Sequence, residues 1–143
     1  MRDLIAQEGL ENLIEVDSAG TIDFHTGSPP DHRMREVGRG RGIRIGGQAR
    51  QIQKKDLTAF DLILTMDRDN HHYVEGLDSS QQYRDKIQYF CDFVQESEAS
   101  EVPDPYYGGE SGFHRVLDLL EDGCGQILEQ IRDGRWCRDG GRF

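Results

Sequence analysis

The sequence has little cysteine and no long apolar run, and both shortages limit the classes of protein that it can encode. Its three cysteines, Cys91, Cys124 and Cys137, form no Cys-x-x-Cys pair. That argues against a disulfide framework or a structural zinc site and fits a reducing compartment. No apolar run approaches membrane-spanning length, and acids stand among the first eight residues, where a signal peptide would be apolar. We therefore expect a cytoplasmic protein with no membrane segment and no metal.

Basic residues are also few, 17 against 27 acidic ones. The formal net charge of −10 argues against nucleic acid or a membrane surface as a partner. The charge is uneven, however: residues 33–50 hold six arginines against one acid, whereas residues 91–122 hold nine acids against one base. Two interpretations of the arginine-rich segment stay open, a solvated face and a basic rim beside an anionic substrate.

Strand and helix patterns alternate along the 143 residues, a length that fits one domain. Apolar runs predict strands at 13–16, 60–66 and 87–93. Helices are predicted within residues 1–10, after Asp31, over 54–59 and 67–77, and along an apolar stripe from Phe113 to Ile131. The alternation predicts an α/β fold, a three-layer sandwich in which helices flank a parallel sheet. We expect one domain over residues 1–136 and a frayed tail over 137–143.

The most informative segment is the loop that carries Asp104 between Pro103 and Pro105 and continues into Tyr106 and Tyr107. The prolines limit the movement of the acid. A phenol has a pKa of about 10, so an acid that protonates a departing phenolate accelerates the reaction strongly near neutral pH. The two rings would line a slot for a flat aromatic group. The alternative is an ordinary Asp-Pro turn with two packed tyrosines.

Sites in parallel α/β sheets gather at the carboxyl ends of the strands. Three polar segments follow the predicted strands: residues 18–21, residues 67–70 and the Asp104 loop. We expect them to meet at one edge of the sheet.

Five segments resemble the low-molecular-weight protein tyrosine phosphatases and occur in the order and at the spacing of that family. They are DSAGT at 17–21, HxGSPPDxRM at 25–34, GQARQ at 47–51, FDLILxMD at 60–67 and PDPYYGG at 103–109. The resemblance extends from about residue 4 to residue 131. It implies a four-stranded parallel sheet and hydrolysis of a phosphotyrosine protein or small aryl phosphate without a metal or other cofactor.

The same resemblance assigns roles to single residues. It implies that Asp104 is the general acid, that Tyr106 and Tyr107 flank the substrate phenol, and that Phe24 forms another aromatic wall. Ser18 and Asp67 would support the phosphate-binding loop. Asp31 and Arg50 match polar positions that we interpret as structural.

The sequence departs from the family in its nucleophile. Family members open with a strand and a Cys-x5-Arg loop, whereas this sequence begins within the helix that follows and contains no Cys-x5-Arg. Cys91 and Cys124 lie in apolar patterns that predict burial and a raised pKa, and Arg142 stands one residue too near Cys137. We expect an N-terminally truncated domain that lacks the central strand, the nucleophile and activity.

Three hypotheses follow from this departure. The first is a tyrosine phosphatase whose recorded start is too far downstream. The second is a non-catalytic binding module. The third, arsenate reduction, would need two further cysteines as a disulfide relay, and the region that would hold them offers only Cys91. The sequence does not determine the oligomeric state.

Overall fold

The computed structural model describes residues 1–136, and its helices match the predicted ones. The helices are α1 (Arg2–Gln7), α2 (His32–Gly40), α3 (Lys54–Ala59), α4 (Arg68–Leu77) and α5 (Gly109–Arg132), and the strands are β1 (Ile63–Thr65) and β2 (Ile87–Tyr89). Short 3-10 turns cover Arg84–Lys86, Phe90–Phe93 and Pro105–Tyr107. The predicted frayed tail lies outside the described residues.

Aspartates cap the helices that begin near the candidate site. Asp31 accepts a hydrogen bond from the Arg33 amide at 2.8 Å at the start of α2. Asp67 accepts one from the Asn70 amide at 2.7 Å at the start of α4. A side-chain oxygen at this position satisfies an amide that has no partner inside the helix. These local bonds explain why both helices begin where the sequence indicates.

The sheet is parallel and lies between two layers of helices, as predicted. β1 pairs with β2 in the register Ile63↔Ile87 and Thr65↔Tyr89. Ile63 packs with Leu57 and Val74 from the α3 and α4 side. Alternate side chains of a strand face opposite ways, and Leu62 and Leu64 accordingly pack against the cluster of the α5 side, which contains Phe90, Val116 and Ile127.

The two observed strands are shorter than predicted. β1 covers only residues 63–65 of the predicted 60–66, and the predicted strand 87–93 turns into a 3-10 helix after Tyr89. Phe90, Cys91 and Phe93 are all buried in one cluster. Phe90 and Phe93 are three residues apart. In a 3-10 turn this spacing places both side chains on the same side, whereas in a strand they would point to opposite faces. Packing against α5 therefore ends β2 early.

The predicted strand at 13–16 is wrong. Leu13 and Ile14 form a turn instead, because the amides of both donate to the carbonyl of Leu10 at 3.0 Å. Further along the chain, Gly20 forms an isolated parallel bridge with Gln51. An apolar cavity of about 390 Å³ lies between residues 14–21 and β1. A strand needs a partner edge, and none lies beside residues 13–16 within the described chain.

Helix α5 approaches Phe90 closely because position 123 is glycine. A Cβ placed on Gly123 would lie 2.5 Å from the Phe90 ring. Gly123 is thus a packing requirement of the main core, although glycine is a poor helix former. No helix within residues 1–136 has the length and apolar character needed to cross a bilayer.

Candidate active site

The Asp104 loop is fastened to the carboxyl end of β1. The amide of Val102, which is buried, donates to the carbonyl of Met66 at 2.8 Å. One residue earlier, the Glu101 carboxylate accepts a hydrogen bond from the Arg68 amide at 2.8 Å at the start of α4. These two bonds bring the loop beside Asp67, the last residue before α4, as the strand-end argument predicts.

Asp104 is exposed, and one of its carboxyl oxygens is fixed. Oδ1 accepts a hydrogen bond from the Tyr106 amide at 2.9 Å and so caps the short turn Pro105–Tyr107. Within residues 1–136 no hydrogen bond reaches Oδ2. The carboxyl group is therefore oriented through one oxygen while the other remains available for proton transfer.

The two tyrosines beside Asp104 form an exposed aromatic corner. Their rings lie 4.9 Å apart at 79°, and 58% of Tyr106 and 91% of Tyr107 are exposed. Large exposed rings are costly to leave in water and useful for stacking on a flat ligand. Their exposure differs from the alternative of two packed tyrosines, and their role as a phenol slot stays a prediction.

Arg33 packs against this aromatic corner, a role that the sequence did not predict. Its guanidinium lies 5.1 Å from the Tyr106 ring centroid and 4.8 Å from that of Phe113, and Nη1 donates to the Tyr106 carbonyl at 3.3 Å. Asp31 holds it through Nη2 at 2.8 Å. These hydrogen bonds from Arg33 lower the pKa of Asp31 to about 2. The Asp31-x-Arg33 spacing was the available signal.

Ser18, Met66 and Asn70 all line the cavity beside β1. The amide of Ser18 donates to Oδ1 of Asp17 at 2.8 Å. Asp17 in turn binds Nε of Arg50 at 2.9 Å. Asn70 had no predicted role, although its place in the first turn after β1 was a signal.

Arg50 also binds Asp56, with 2.9 Å between Nη1 and Oδ2. Burial of Asp56 opposes its ionisation, yet the hydrogen bond from Arg50 holds its pKa below the ordinary value. The predicted structural role of Arg50 therefore agrees with its contacts.

Phe24 lies in an exposed loop between Ser18 and α2. It is 86% exposed, and within residues 1–136 its ring makes no stacked or edge contact with another aromatic ring. The loop that carries it is held elsewhere, through the Gly27 amide, which donates to the Ala49 carbonyl at 2.7 Å. Its role as an aromatic wall stays a prediction.

Ion pairs neutralise part of the arginine-rich segment. Arg33 binds Asp31 and Arg50 binds two aspartates, while Arg41 binds Asp118 at 2.7 Å and Glu121 at 2.9 Å on α5. Half of the six arginines thus serve internal contacts. The segment joins the acidic stretch on α5, which disfavours its interpretation as a free basic rim.

The described cysteines do not have the features of a nucleophile. Cys91 and Cys124 are free, and burial raises the pKa of both thiols, which disfavours the reactive thiolate. No group of three potential metal-ligating side chains occurs among residues 1–136. Cys137 lies outside the described residues.

The chain matches known proteins over most of its length. The family model of the low molecular weight phosphotyrosine protein phosphatases matches residues 1–135. A Synechocystis protein, slr0328, named as a low molecular weight protein-tyrosine-phosphatase, is 47% identical over 127 residues, which are 89% of this chain and 81% of that protein. Its counterpart YfkJ from Bacillus subtilis is 40% identical over 134 residues, 92% of this chain and 83% of YfkJ.

Solved structures agree with the sequence matches. A protein tyrosine phosphatase from Entamoeba histolytica superposes with a TM-score of 0.89 at 40% identity, over 94% of this chain and 85% of that one. The fold and the loop after β1 therefore define an α/β protein of the phosphatase class. The chain belongs to the low molecular weight protein-tyrosine-phosphatase family.

Proposed function

We propose that this chain carries the proton-donating half of a phosphotyrosine phosphatase site, with Asp104 as the general acid. The observation that carries the proposal is the loop geometry. One oxygen of Asp104 is fixed by the Tyr106 amide, the other is unbonded within residues 1–136, and an exposed aromatic corner stands beside them. The substrate would be a phosphotyrosine protein or a small aryl phosphate.

The reaction of this site would proceed through a cysteinyl phosphate. A thiolate attacks phosphorus, the bond between phosphorus and the phenolic oxygen breaks, and Asp104 gives its proton to that oxygen. The Asp104 carboxylate then takes a proton from the water that attacks the phosphocysteine, and phosphate leaves. Ser18 and Asp67 would support the phosphate-binding loop, and Tyr106, Tyr107 and Phe24 would surround the phenol.

The thiolate step needs a Cys-x5-Arg loop, which the 143 residues do not contain. Cys91 is buried and Cys124 is partly buried, and the raised pKa of both thiols leaves neither as a substitute. We therefore propose that these residues alone do not hydrolyse aryl phosphates. We also propose that residues 1–136 form one domain and act in the cytoplasm, since the free cysteines fit a reducing compartment.

Two proteins test this proposal: the 143-residue chain, and a chimera in which a family strand and Cys-x5-Arg loop precede Met1. We expect the chimera to hydrolyse p-nitrophenyl phosphate and the 143-residue chain to release no nitrophenol above background. A chimera with its nucleophile changed to serine is the matched control. Turnover by the 143-residue chain alone would contradict the proposal.

The second candidate is a non-catalytic binding module, and the absence of Cys-x5-Arg from the 143 residues favours it. A module would leave the chimera inactive although folded, whereas the first candidate predicts activity. No observation favours arsenate reduction, because the one cysteine in the relevant region, Cys91, is buried.

A further inference from the structure

The Asp104 loop, residues 102–108, is held at its two ends, whereas its middle is exposed. The Val102 amide fixes one end to the Met66 carbonyl, and the other end leads directly into α5, which begins at Gly109. Asp104 and Tyr106 lie between these points and are both exposed. Contacts from other elements to this middle stretch therefore decide how firmly the acid is oriented.

Arg33, in the first turn of α2, supplies such a contact. Among the described residues it is the one side chain outside the loop that hydrogen-bonds to residues 104–107, because its Nη1 donates to the Tyr106 carbonyl at 3.3 Å. Its guanidinium also lies over two rings, 5.1 Å from the centroid of Tyr106 and 4.8 Å from that of Phe113. Phe113 is buried in the core, so the guanidinium rests on a fixed support.

Tyr106 passes this contact on to the acid. Its carbonyl accepts from Arg33, and its amide donates to Oδ1 of Asp104 at 2.9 Å. Arg33 thus fixes the backbone and the ring of the residue that orients the carboxyl group. The precision matters, because a displacement of about 1 Å at a reacting site can cost about 100-fold in rate.

Arg33 is itself held in one orientation by Asp31. The Asp31 carboxylate accepts from Nε at 3.1 Å and from Nη2 at 2.8 Å, and it also accepts the Arg33 amide at the start of α2. A guanidinium bound on two nitrogens has a defined plane. Its third nitrogen, Nη1, is left for the Tyr106 carbonyl. Lysine has no such planar fork and could not form the same set of contacts.

We propose that Arg33 is a positioning residue for the general acid. It acts through Tyr106, across two consecutive hydrogen bonds, and holds the Asp104 carboxyl group in the orientation that proton transfer requires. The inference rests on the proposed function of Asp104, since the orientation of the acid affects catalysis only where a phenol departs.

The catalytic test compares the chimera with its Arg33→Met form on phenyl phosphate and on a dinitrophenyl phosphate, whose phenolate departs without a proton. Methionine keeps an unbranched side chain but donates no hydrogen bond. We expect kcat/KM to fall about 10-fold to 100-fold on phenyl phosphate and about twofold or less on the dinitrophenyl ester. Arg33→Lys keeps the charge over the rings without the fork and should recover part of the loss.

Arg41→Met is the matched control. Arg41 also connects the α2 region to α5, through Asp118 at 2.7 Å and Glu121 at 2.9 Å, but within the described chain it forms no hydrogen bond with the Asp104 loop. Its removal should lower the melting temperature and leave the ratio of the two rates unchanged. A general loosening of the fold is thereby separated from a loss of acid positioning.

A second measurement uses the 143-residue chain and needs no turnover. Solvent exchange of the Tyr106 amide, followed by NMR, reports how firmly this amide is bonded to Asp104. We expect Arg33→Met to accelerate this exchange by about tenfold and Arg41→Met to leave it unchanged.

The outcomes distinguish this inference from the proposed function. Equal losses on the two esters, unchanged rates, or unchanged exchange of the Tyr106 amide would each overturn the positioning role. If Asp104→Asn does not slow the chimera on phenyl phosphate, the proposed function is wrong and Arg33 has no catalytic role, even where Tyr106 exchange still depends on it. Should Arg33→Met fail to fold by circular dichroism, Arg33→Lys decides: a loss confined to phenyl phosphate supports the proposal, and the absence of a selective loss overturns it.

Discussion

At the scale of single residues, the site depends on how Arg33 is held. Asp31 binds its guanidinium and also caps α2, while the guanidinium lies against the Tyr106 and Phe113 rings. The aromatic corner beside Asp104 is thereby tied to the start of α2. The Arg33 side chain is 37% exposed and that of Asp31 is 31% exposed, so solvent screening as well as geometry sets the strength of this ion pair.

Because its hydrogen bonds to Arg33 lower the pKa of Asp31 to about 2 from 3.8, its ionised form is favoured by the folded state. A lowered pKa in the folded state means that this stabilisation is complete above the unfolded pKa and is lost as the pH falls from 3.8 towards 2. We predict that Asp31→Asn, which can still cap α2, lowers the melting temperature at pH 5.

The measurement is a thermal melt of both proteins at several pH values between 5 and 2. The difference in melting temperature should shrink through the window from 3.8 to about 2. Asp92→Asn, at an aspartate that forms no ion pair with an arginine of residues 1–136, is the matched control and should track the unaltered chain. A difference for Asp31→Asn that stays constant across this window would refute the role of its ionisation.

At the scale of elements, helix α5 packs against the core cluster that contains Phe90. A glycine in α5 permits its close approach to the Phe90 ring. Gly123 faces the Phe90 ring at a distance that leaves no room for a Cβ, whereas a Cβ on Gly125, two residues later, would have no such neighbour within 4 Å. The helix therefore offers a matched pair of glycines. Only the first should resist substitution.

We predict that Gly123→Ala destabilises the protein by about 1–3 kcal/mol through overpacking against Phe90. Gly125→Ala should stabilise it by about 0.5–1 kcal/mol, because alanine loses less backbone entropy in a helix. Urea unfolding of the three proteins measures both changes. Equal effects of the two substitutions would show that Phe90 does not constrain α5.

The elements that the sequence predicted well are those fixed by neighbouring residues. Asp31 and Asp67 indicate the starts of α2 and α4 because each binds an amide two or three residues away. The strands depend on partners distant in sequence, and there the predictions were less accurate, since two strands are shorter than predicted and the one at 13–16 is wrong. An apolar run at 13–16 carries no information about whether an edge lies beside it, and Phe90 leaves β2 to pack on a helix that begins 19 residues later.

The same difference between local and distant contacts applies to the candidate site. Asp104 and Tyr106 are joined by a hydrogen bond across two residues, and a local turn was one of the two interpretations that the sequence left open. Arg33 meets Tyr106 across 73 residues, which no local pattern indicates. Ser18 and Asn70 line one cavity, although they lie 52 residues apart in the sequence. The local bond at Asp104 could thus be anticipated from the sequence, but the support from Arg33 could not, and the use of the two rings as a phenol slot stays a prediction.

At the scale of the whole molecule, two regions adjoin β1. They are the acid loop at the carboxyl end of the strand and the apolar cavity beside it. The Val102–Met66 bond connects the first to β1, and Leu62–Met66 forms the wall of the second. The proposed phosphatase chemistry needs a nucleophile brought to the acid loop.

The central claim is that Asp104 donates the proton to a departing phenol, and the most direct measurement is the leaving-group dependence of hydrolysis. The active chimera and its Asp104→Asn form are compared on phenyl phosphate and on a dinitrophenyl phosphate, whose phenolate departs without a proton. Asparagine keeps the oxygen that accepts the Tyr106 amide, so the loop should persist. We predict a loss of about 10²–10⁴-fold on phenyl phosphate and a much smaller loss on the dinitrophenyl ester. Equal rates for the two proteins on phenyl phosphate would contradict the account.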